Sequence, residues 1–206
     1  MKWKTTIVVS TAIFMLFGMA MPVLAGADPE IGKAALAFSG TDSSGDSVKL
    51  SDFRGKIVVL EWSNHDCPYV RKHYGTGNMQ SLQKKWTQRG VVWLTIISSA
   101  PGKQGHVTGE EADDLTVSRG ASPTAVILDP EGTIGRRYKA RTTPHMFVID
   151  SDGILVYMGG IDDKTSSSWS TVEGATNYVD AALRAVEDGE QPAVPVARPY
   201  GCSVKY

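Results

Sequence analysis

The chain of 206 residues carries two cysteines, Cys67 and Cys202. Cys67 lies in Ser63-Asn-His-Asp-Cys-Pro-Tyr-Val70, and Pro68 directly after it suits the first position of a helix, where no amide hydrogen is needed. A sulfur at a helix start faces exposed amide hydrogens and the positive end of the helix dipole, and both favour a thiolate over a thiol. Arg71, four residues on along the same face, adds positive charge. Asp66 is a good helix N-cap, but its carboxylate opposes a second negative charge, so these neighbours leave the direction of the Cys67 shift open. The placement points to a reactive thiol, against the alternative of a buried and inert cysteine.

Cys202 stands in Gly201-Cys-Ser-Val-Lys-Tyr206, behind Pro192, Pro195 and Pro199, whose spacing describes a semi-extended arm. Two cysteines allow one internal bond, so the choices are a Cys67–Cys202 disulfide, a bond to another molecule, or two free thiols. Closing so long a loop would stabilise the fold by about 4–5 kcal/mol in the chain-entropy view, which makes a structural bond physically sensible too. His65, His73 and His145 lie near these segments, and two of them with Cys67 would form a soft site for copper or zinc. Solvated or hydrogen-bonded histidines are the commoner outcome, and no metal and no cofactor is expected. The loop Ala100-Pro-Gly-Lys-Gln-Gly105 lacks phosphate-loop spacing and reads as surface.

The elements that must position these residues follow from the apolar pattern. Ile57-Val-Val-Leu-Glu-Trp62 and Val91-Val-Trp-Leu-Thr-Ile-Ile97 are β-branched and apolar runs typical of buried strands. Between them, helical spacing at Met79, Leu82 and Trp86 is interrupted by Gly75-Thr-Gly77, which predicts two helical pieces in a β-α-β crossover between parallel strands. Thr124-Ala-Val-Ile-Leu128 is a further strand. Met146-Phe-Val-Ile-Asp150, Ser151-Asp-Gly153 and Ile154-Leu-Val-Tyr-Met158 spell a hairpin, which makes the sheet mixed. Pro144 in Thr142-Thr-Pro-His145 opens the first hairpin strand, a place that suits a cis bond in a tight turn. The last helix is expected from about Val172 to Val186, capped by Ser170 or Thr171.

Lys2 and Lys4, the apolar run Ile7 to Ala20 and the small residues through Ala25 describe a signal peptide over residues 1–25, with an uncleaved anchor as the alternative. The chain is then exported, periplasmic or secreted, where disulfides form and persist. The rest divides into one domain over residues 26–190 and a proline-rich tail over 191–206. With 21 Lys plus Arg against 22 Asp plus Glu, no net field favours nucleic acid or, once the leader is removed, a membrane surface.

A strand–Cys–helix unit, then Thr-Pro, then a hairpin and a helix together resemble the thioredoxin superfamily. Over residues from about 31 to 188 the chain is most similar to the redoxin group, the alkyl hydroperoxide reductase and thiol-specific antioxidant type, especially exported peroxiredoxin-like members. The segments that carry the likeness are His65-Asp-Cys-Pro-Tyr-Val-Arg-Lys-His-Tyr74, Ser98-Ser-Ala-Pro-Gly-Lys-Gln-Gly105, Thr143-Pro-His-Met-Phe-Val-Ile-Asp150 and the terminal Gly-Cys-Ser-Val-Lys-Tyr. The resemblance implies an α/β thioredoxin-like fold, three-layer α/β/α, with a mixed central sheet flanked by helices. It implies Cys67 as nucleophile, Thr143 and Pro144 shaping a groove for an extended disulfide or peptide, His145 beside the thiol, and Cys202 as the internal resolving thiol. The oxidant would be peroxide, or a protein or small-molecule disulfide, and an external thiol would act as reductant. Three positions depart from the group: Val70 stands where thioredoxins keep a second cysteine, and Asn64 and Leu60 stand where peroxiredoxins keep threonine and proline. The rival reading is a non-catalytic binding module that holds Cys67–Cys202 as a staple and uses the groove for a partner.

Overall fold

The computed structural model describes residues 28–206 together with Met1; the leader expected over residues 1–25 lies outside the described segment. Among the described residues nine strands follow in chain order: β1 (Ser39–Asp42), β2 (Ser47–Lys49), β3 (Val58–Trp62), β4 (Val92–Ile97), β5 (Ala125–Leu128), β6 (Thr142–Thr143), β7 (His145–Ile149), β8 (Leu155–Gly159) and β9 (Cys202–Ser203). The helices are α1 (Pro68–Gly75), α2 (Asn78–Thr87), α3 (Gly109–Ser118), α4 (Thr133–Arg137) and α5 (Tyr178–Glu187). Seven strands form one sheet in the order β2-β1-β5-β4-β3-β7-β8, while β6 and β9 make a separate ribbon. The strands β3, β4 and β5 are parallel, and β1, β7 and β8 join antiparallel to their neighbours, so the sheet is mixed.

Every residue of β3 is buried, because both faces of this central strand are covered. Val59 packs with Val70, Met79, Leu82, Trp86 and Leu183, which places α1, α2 and α5 on one face. Val58, Leu60 and Trp62 alternate to the other face and meet Ile127, Ile134, Tyr138 and Phe147, where α4 and the segment around Leu36 and Phe38 close the core. This is the three-layer α/β/α arrangement. The two-piece crossover appears as expected: α1 and α2 part at Gly77, whose φ of 76° starts α2.

Glu61 is the exception in the apolar run of β3. Its fully buried carboxylate accepts from Tyr74 Oη at 2.9 Å, Trp93 Nε1 at 2.8 Å, Gln83 Nε2 at 3.2 Å and Thr95 Oγ1 at 3.3 Å. One carboxylate thereby ties β3 to α1, α2 and β4 beneath the strand end that leads into Cys67. Burial pushes the Glu61 pKa up, against four hydrogen bonds that favour the charged form. A carboxyl raised in this way contributes stability below its ordinary pKa and loses it as pH climbs through the raised one. Urea unfolding of the parent and Glu61→Gln should therefore show the parent's relative stability declining as pH rises from the acid range toward neutrality. A difference that stays constant with pH would contradict the shift.

Two expectations are corrected. The last helix begins at Tyr178 and is capped by Asn177, whose side chain accepts from the Asp180 amide; Gly174 at φ 71° breaks any helix running from 172, and only a single 3-10 turn, Trp169–Thr171, precedes it. The proline-rich tail is no free arm. It docks along β8 through Met158 N to Pro195 O at 3.0 Å and Ala197 N to Met158 O at 3.2 Å, then returns to the sheet end as β9. Gly159, at φ 153°, permits the approach, since a Cβ there would lie 2.3 Å from Ala197 O.

Candidate functional site

Cys67 occupies the N-cap position of α1 at the end of β3, and Pro68 is at the helix start as expected. Its side chain has 0% exposure. Opposite it run β6 and β9, which pair antiparallel with Thr143 facing Cys202 and Thr142 facing Ser203. Cys67 and Cys202, 135 positions apart in sequence, are both free thiols, brought together because Cys67 Sγ lies 3.0 Å from the carbonyl of Thr143, the residue that Cys202 faces across the ribbon. Cys202 is only partly buried, so the pair has an inner and an outer sulfur.

The two sulfurs ionise differently. At Cys67 burial pushes the pKa up, but donation from the Cys202 thiol, from the Thr143 hydroxyl and from the amides of Val70 and Cys202 outweighs it, and the net direction is down. The Thr143 hydroxyl is buried without a hydrogen-bond partner in this arrangement, which leaves it free to donate once Cys67 ionises. In the neutral form the Cys67 thiol instead donates to the Thr143 carbonyl at 3.0 Å. Cys202 moves the opposite way, up to about 11, through burial, its hydrogen bond to Cys67 and the charge of Cys67, with Lys205 opposing. The direction that sequence left open is thus settled by residues far along the chain.

Asp66 and Arg71, expected as opposed charges beside the sulfur, form an ion pair of their own. The Arg71 guanidinium meets the Asp66 carboxylate at 2.9 Å and the His65 carbonyl at 3.2 Å, so their opposite charges pair with each other. Asp66 is also not the cap of α1, a position taken by Cys67 itself. Thr143 and Pro144 do lie against the site, and the bond between them is cis. His145 does not stand beside the thiol. It packs against Phe147, ring centroids 4.5 Å apart, on the sheet face opposite Met146, which belongs with Cys67. Alternation along β7 imposes this. Burial drives the His145 pKa down to about 3, and its Nδ1 accepts the Arg141 amide at 3.3 Å.

The three histidines once grouped with Cys67 go to three places. His65 meets Asp66 at 3.5 Å, His145 lies across the sheet, and His73 enters a buried cluster with Tyr200. In that cluster the Tyr200 hydroxyl donates to Asp162, His73 Nε2 lies 3.2 Å from the same hydroxyl, and Asn78 Nδ2 sits 2.9 Å from His73 Nδ1. Lys72 Nζ lies 3.7 Å from Asp162 and 5.2 Å from the Tyr200 ring centre. Burial holds His73 neutral, its pKa down to about 3, with the Lys72 charge adding to the effect. Sequence reasoning missed Tyr200 and Asp162 altogether. Their partnership spans distant segments and leaves no local periodic signal.

Comparison with known proteins agrees with this architecture. The AhpC/TSA family matches residues 31–158. The thiol-disulfide oxidoreductase ResA of Bacillus thuringiensis subsp. konkukian is 28% identical over 130 residues, covering 62% of this chain and 68% of that protein. A crystal structure of an uncharacterized conserved protein from Geobacillus kaustophilus aligns with a TM-score of 0.74 at 24% identity, over 86% of this chain and 92% of the other. A structure assigned as the thiol:disulfide interchange protein DsbE of Chlorobium tepidum aligns with a TM-score of 0.51 at 25% identity, over 63% of this chain and 84% of that one. The family match spans more than half of the sequence and includes β3, Cys67, α1 and the Thr143-Pro144 turn. The chain belongs to the AhpC/TSA family and is a thioredoxin-fold protein of the thiol oxidoreductase class.

Proposed function

We propose that this protein exchanges thiols and disulfides through Cys67 and Cys202, outside the cytoplasm if the leader acts as its composition suggests. The observation that carries the reading is the placement of two free thiols at one site, Cys67 at the N-cap of α1 and Cys202 on β9 opposite Thr143, whose carbonyl lies 3.0 Å from the Cys67 sulfur; the surroundings push Cys67 down and Cys202 up to about 11. The Cys67 thiolate attacks one sulfur of a substrate disulfide, that bond breaks, and the released sulfur takes a proton from solvent. Part of what keeps Cys202 protonated is the negative charge of Cys67. Once Cys67 is bonded in the mixed disulfide that charge is gone, so Cys202 loses its proton more readily at the stage when a second nucleophile is needed. The Cys202 thiolate then attacks the Cys67 sulfur and releases the second substrate thiol. The substrate gains two electrons and two protons, and the pair ends as a Cys67–Cys202 disulfide. An external thiol reductant restores it.

Disulfide exchange is favoured over peroxide reduction because Asn64 and Leu60 replace the threonine and proline of the peroxiredoxin pattern. Asn64 is committed to structure here: its side chain accepts from the Asp66 amide at 2.9 Å and donates to the Gln104 carbonyl at 3.1 Å. The test is to reduce the protein, add a limiting small disulfide or, in a parallel sample, hydrogen peroxide, and follow intact mass with time. Loss of two hydrogens on adding disulfide, with a slower response to peroxide, is the expected result. Thiols that stay reduced with both reagents would overturn the reading in favour of a non-catalytic module.

A further inference from the structure

The groove that sequence assigned to an extended substrate is already filled by the chain itself. Residues 195–206 run as a strap over the site, beyond the family-matched segment that ends at 158. Along β6 the strap takes the strand edge: β9 pairs with Thr142 and Thr143, and Val204 N donates to Arg141 O at 3.1 Å. Its end is fastened by Ala100 N to Lys205 O at 2.8 Å and by Tyr206 Oη to Ala140 O at 2.8 Å. Its middle is fastened by Tyr200, two residues before Cys202, through the buried Asp162 and His73 contacts. His73 and Lys72 belong to α1, the same helix that Cys67 heads, so one helix sets both sulfurs. Between anchor and thiol, Gly201 at φ 138° passes so close to Thr143 that a Cβ would lie 2.1 Å from its carbonyl oxygen.

Resting on the thiol–disulfide reading above, we propose that Tyr200 and Gly201 determine specificity by holding this strap shut, so that Cys67 reacts directly with small disulfides and is closed to extended protein segments. An extended peptide needs the β6 edge, which β9 occupies, and must lift several backbone hydrogen bonds to reach it. A compact disulfide needs only to pass Cys202, which is partly exposed. Tyr200→Phe keeps the ring over Lys72 and beside Tyr69 but removes the hydroxyl that donates to Asp162. Losing a hydrogen bond to a charged group raises the opened population by about tenfold or more. Gly201→Ala forces the same release by a different route, through its Cβ.

The experiment uses the full chain, reduced, as parent and both variants, each checked for folding by circular dichroism. Each is mixed with hydroxyethyl disulfide and, separately, with an unstructured peptide carrying an internal disulfide, and modification of Cys67 is timed by intact mass. The expected result is a parent that reacts with the small disulfide and much more slowly with the peptide. In both variants the peptide rate rises about tenfold or more. Closure of the Cys67–Cys202 bond from the mixed disulfide slows, because the strap that presents Cys202 is loosened. A parent that takes the peptide as fast as the small disulfide, or an unchanged ratio of the two rates in both variants, overturns the strap while leaving thiol exchange standing. A parent inert to both reagents removes the exchange reading and the strap with it.

Discussion

Replacing Cys67 by serine is expected to lower the rate of disulfide reduction by about a thousandfold or more, because a serine hydroxyl stays protonated at a helix N-cap where the thiol ionises, and oxygen attacks a disulfide poorly. The stopped-flow decay of a chromogenic disulfide measures it directly. The geometry makes this a test of chemistry more than of folding. Oxygen for sulfur is a small change at a site that already offers the Val70 and Cys202 amides and the Thr143 hydroxyl as partners. Serine is itself a good residue for the N-cap of α1. The variant should therefore unfold at nearly the parent's urea midpoint. Residual reduction within tenfold of the parent would show that Cys202, raised to about 11, attacks substrates unaided, and the assignment of nucleophile would be reversed.

Much of the framework was legible because it is local. The strand over 58–62, the cysteine after it, Pro68 at the helix start and the break at Gly77 each follow from a few adjacent residues. The helix α3 carries an equally local signal that the apolar pattern does not supply: Thr108 and Glu111 form a reciprocal capping box that precedes Ala112 and Leu115. His145 departs from the expectation for a different reason. Nearness in sequence to Pro144 suggested nearness to Cys67, yet the period of two along β7 sends His145 and Phe147 to one face and Met146 to the other. Arg71 and Asp66 read in sequence as two opposed influences on a sulfur, and in the fold they pair with each other at 2.9 Å. The tail lay furthest beyond reach. Its docking depends on register between Thr143 and Cys202, on a buried carboxylate at 162 and on two positive-φ glycines, none of which a local pattern announces.

That long-range contact is also where the most informative variant lies. Cys202→Ala should stall the reaction after the first step, leaving half of the substrate attached to Cys67 as a mixed disulfide visible by mass, and should cut turnover about a hundredfold or more, since an external thiol must replace a neighbour already in position. It should also move the ionisation of Cys67. The Cys202 thiol is the foremost donor lowering the Cys67 pKa, and alanine cannot donate. The midpoint of the pH dependence of Cys67 alkylation by iodoacetamide should therefore rise relative to the parent, while the amides of Val70 and Cys202 and the Thr143 hydroxyl keep part of the effect. The two readouts separate the roles of one sulfur. A stalled mixed disulfide with an unmoved midpoint would leave Cys202 as a resolving thiol that does not tune its partner. A raised midpoint without stalling would leave it a tuning donor, with resolution performed by an external thiol, which is oxidised as the second substrate thiol is released. Both changes together are what contact between an inner, lowered thiol and an outer, raised one requires.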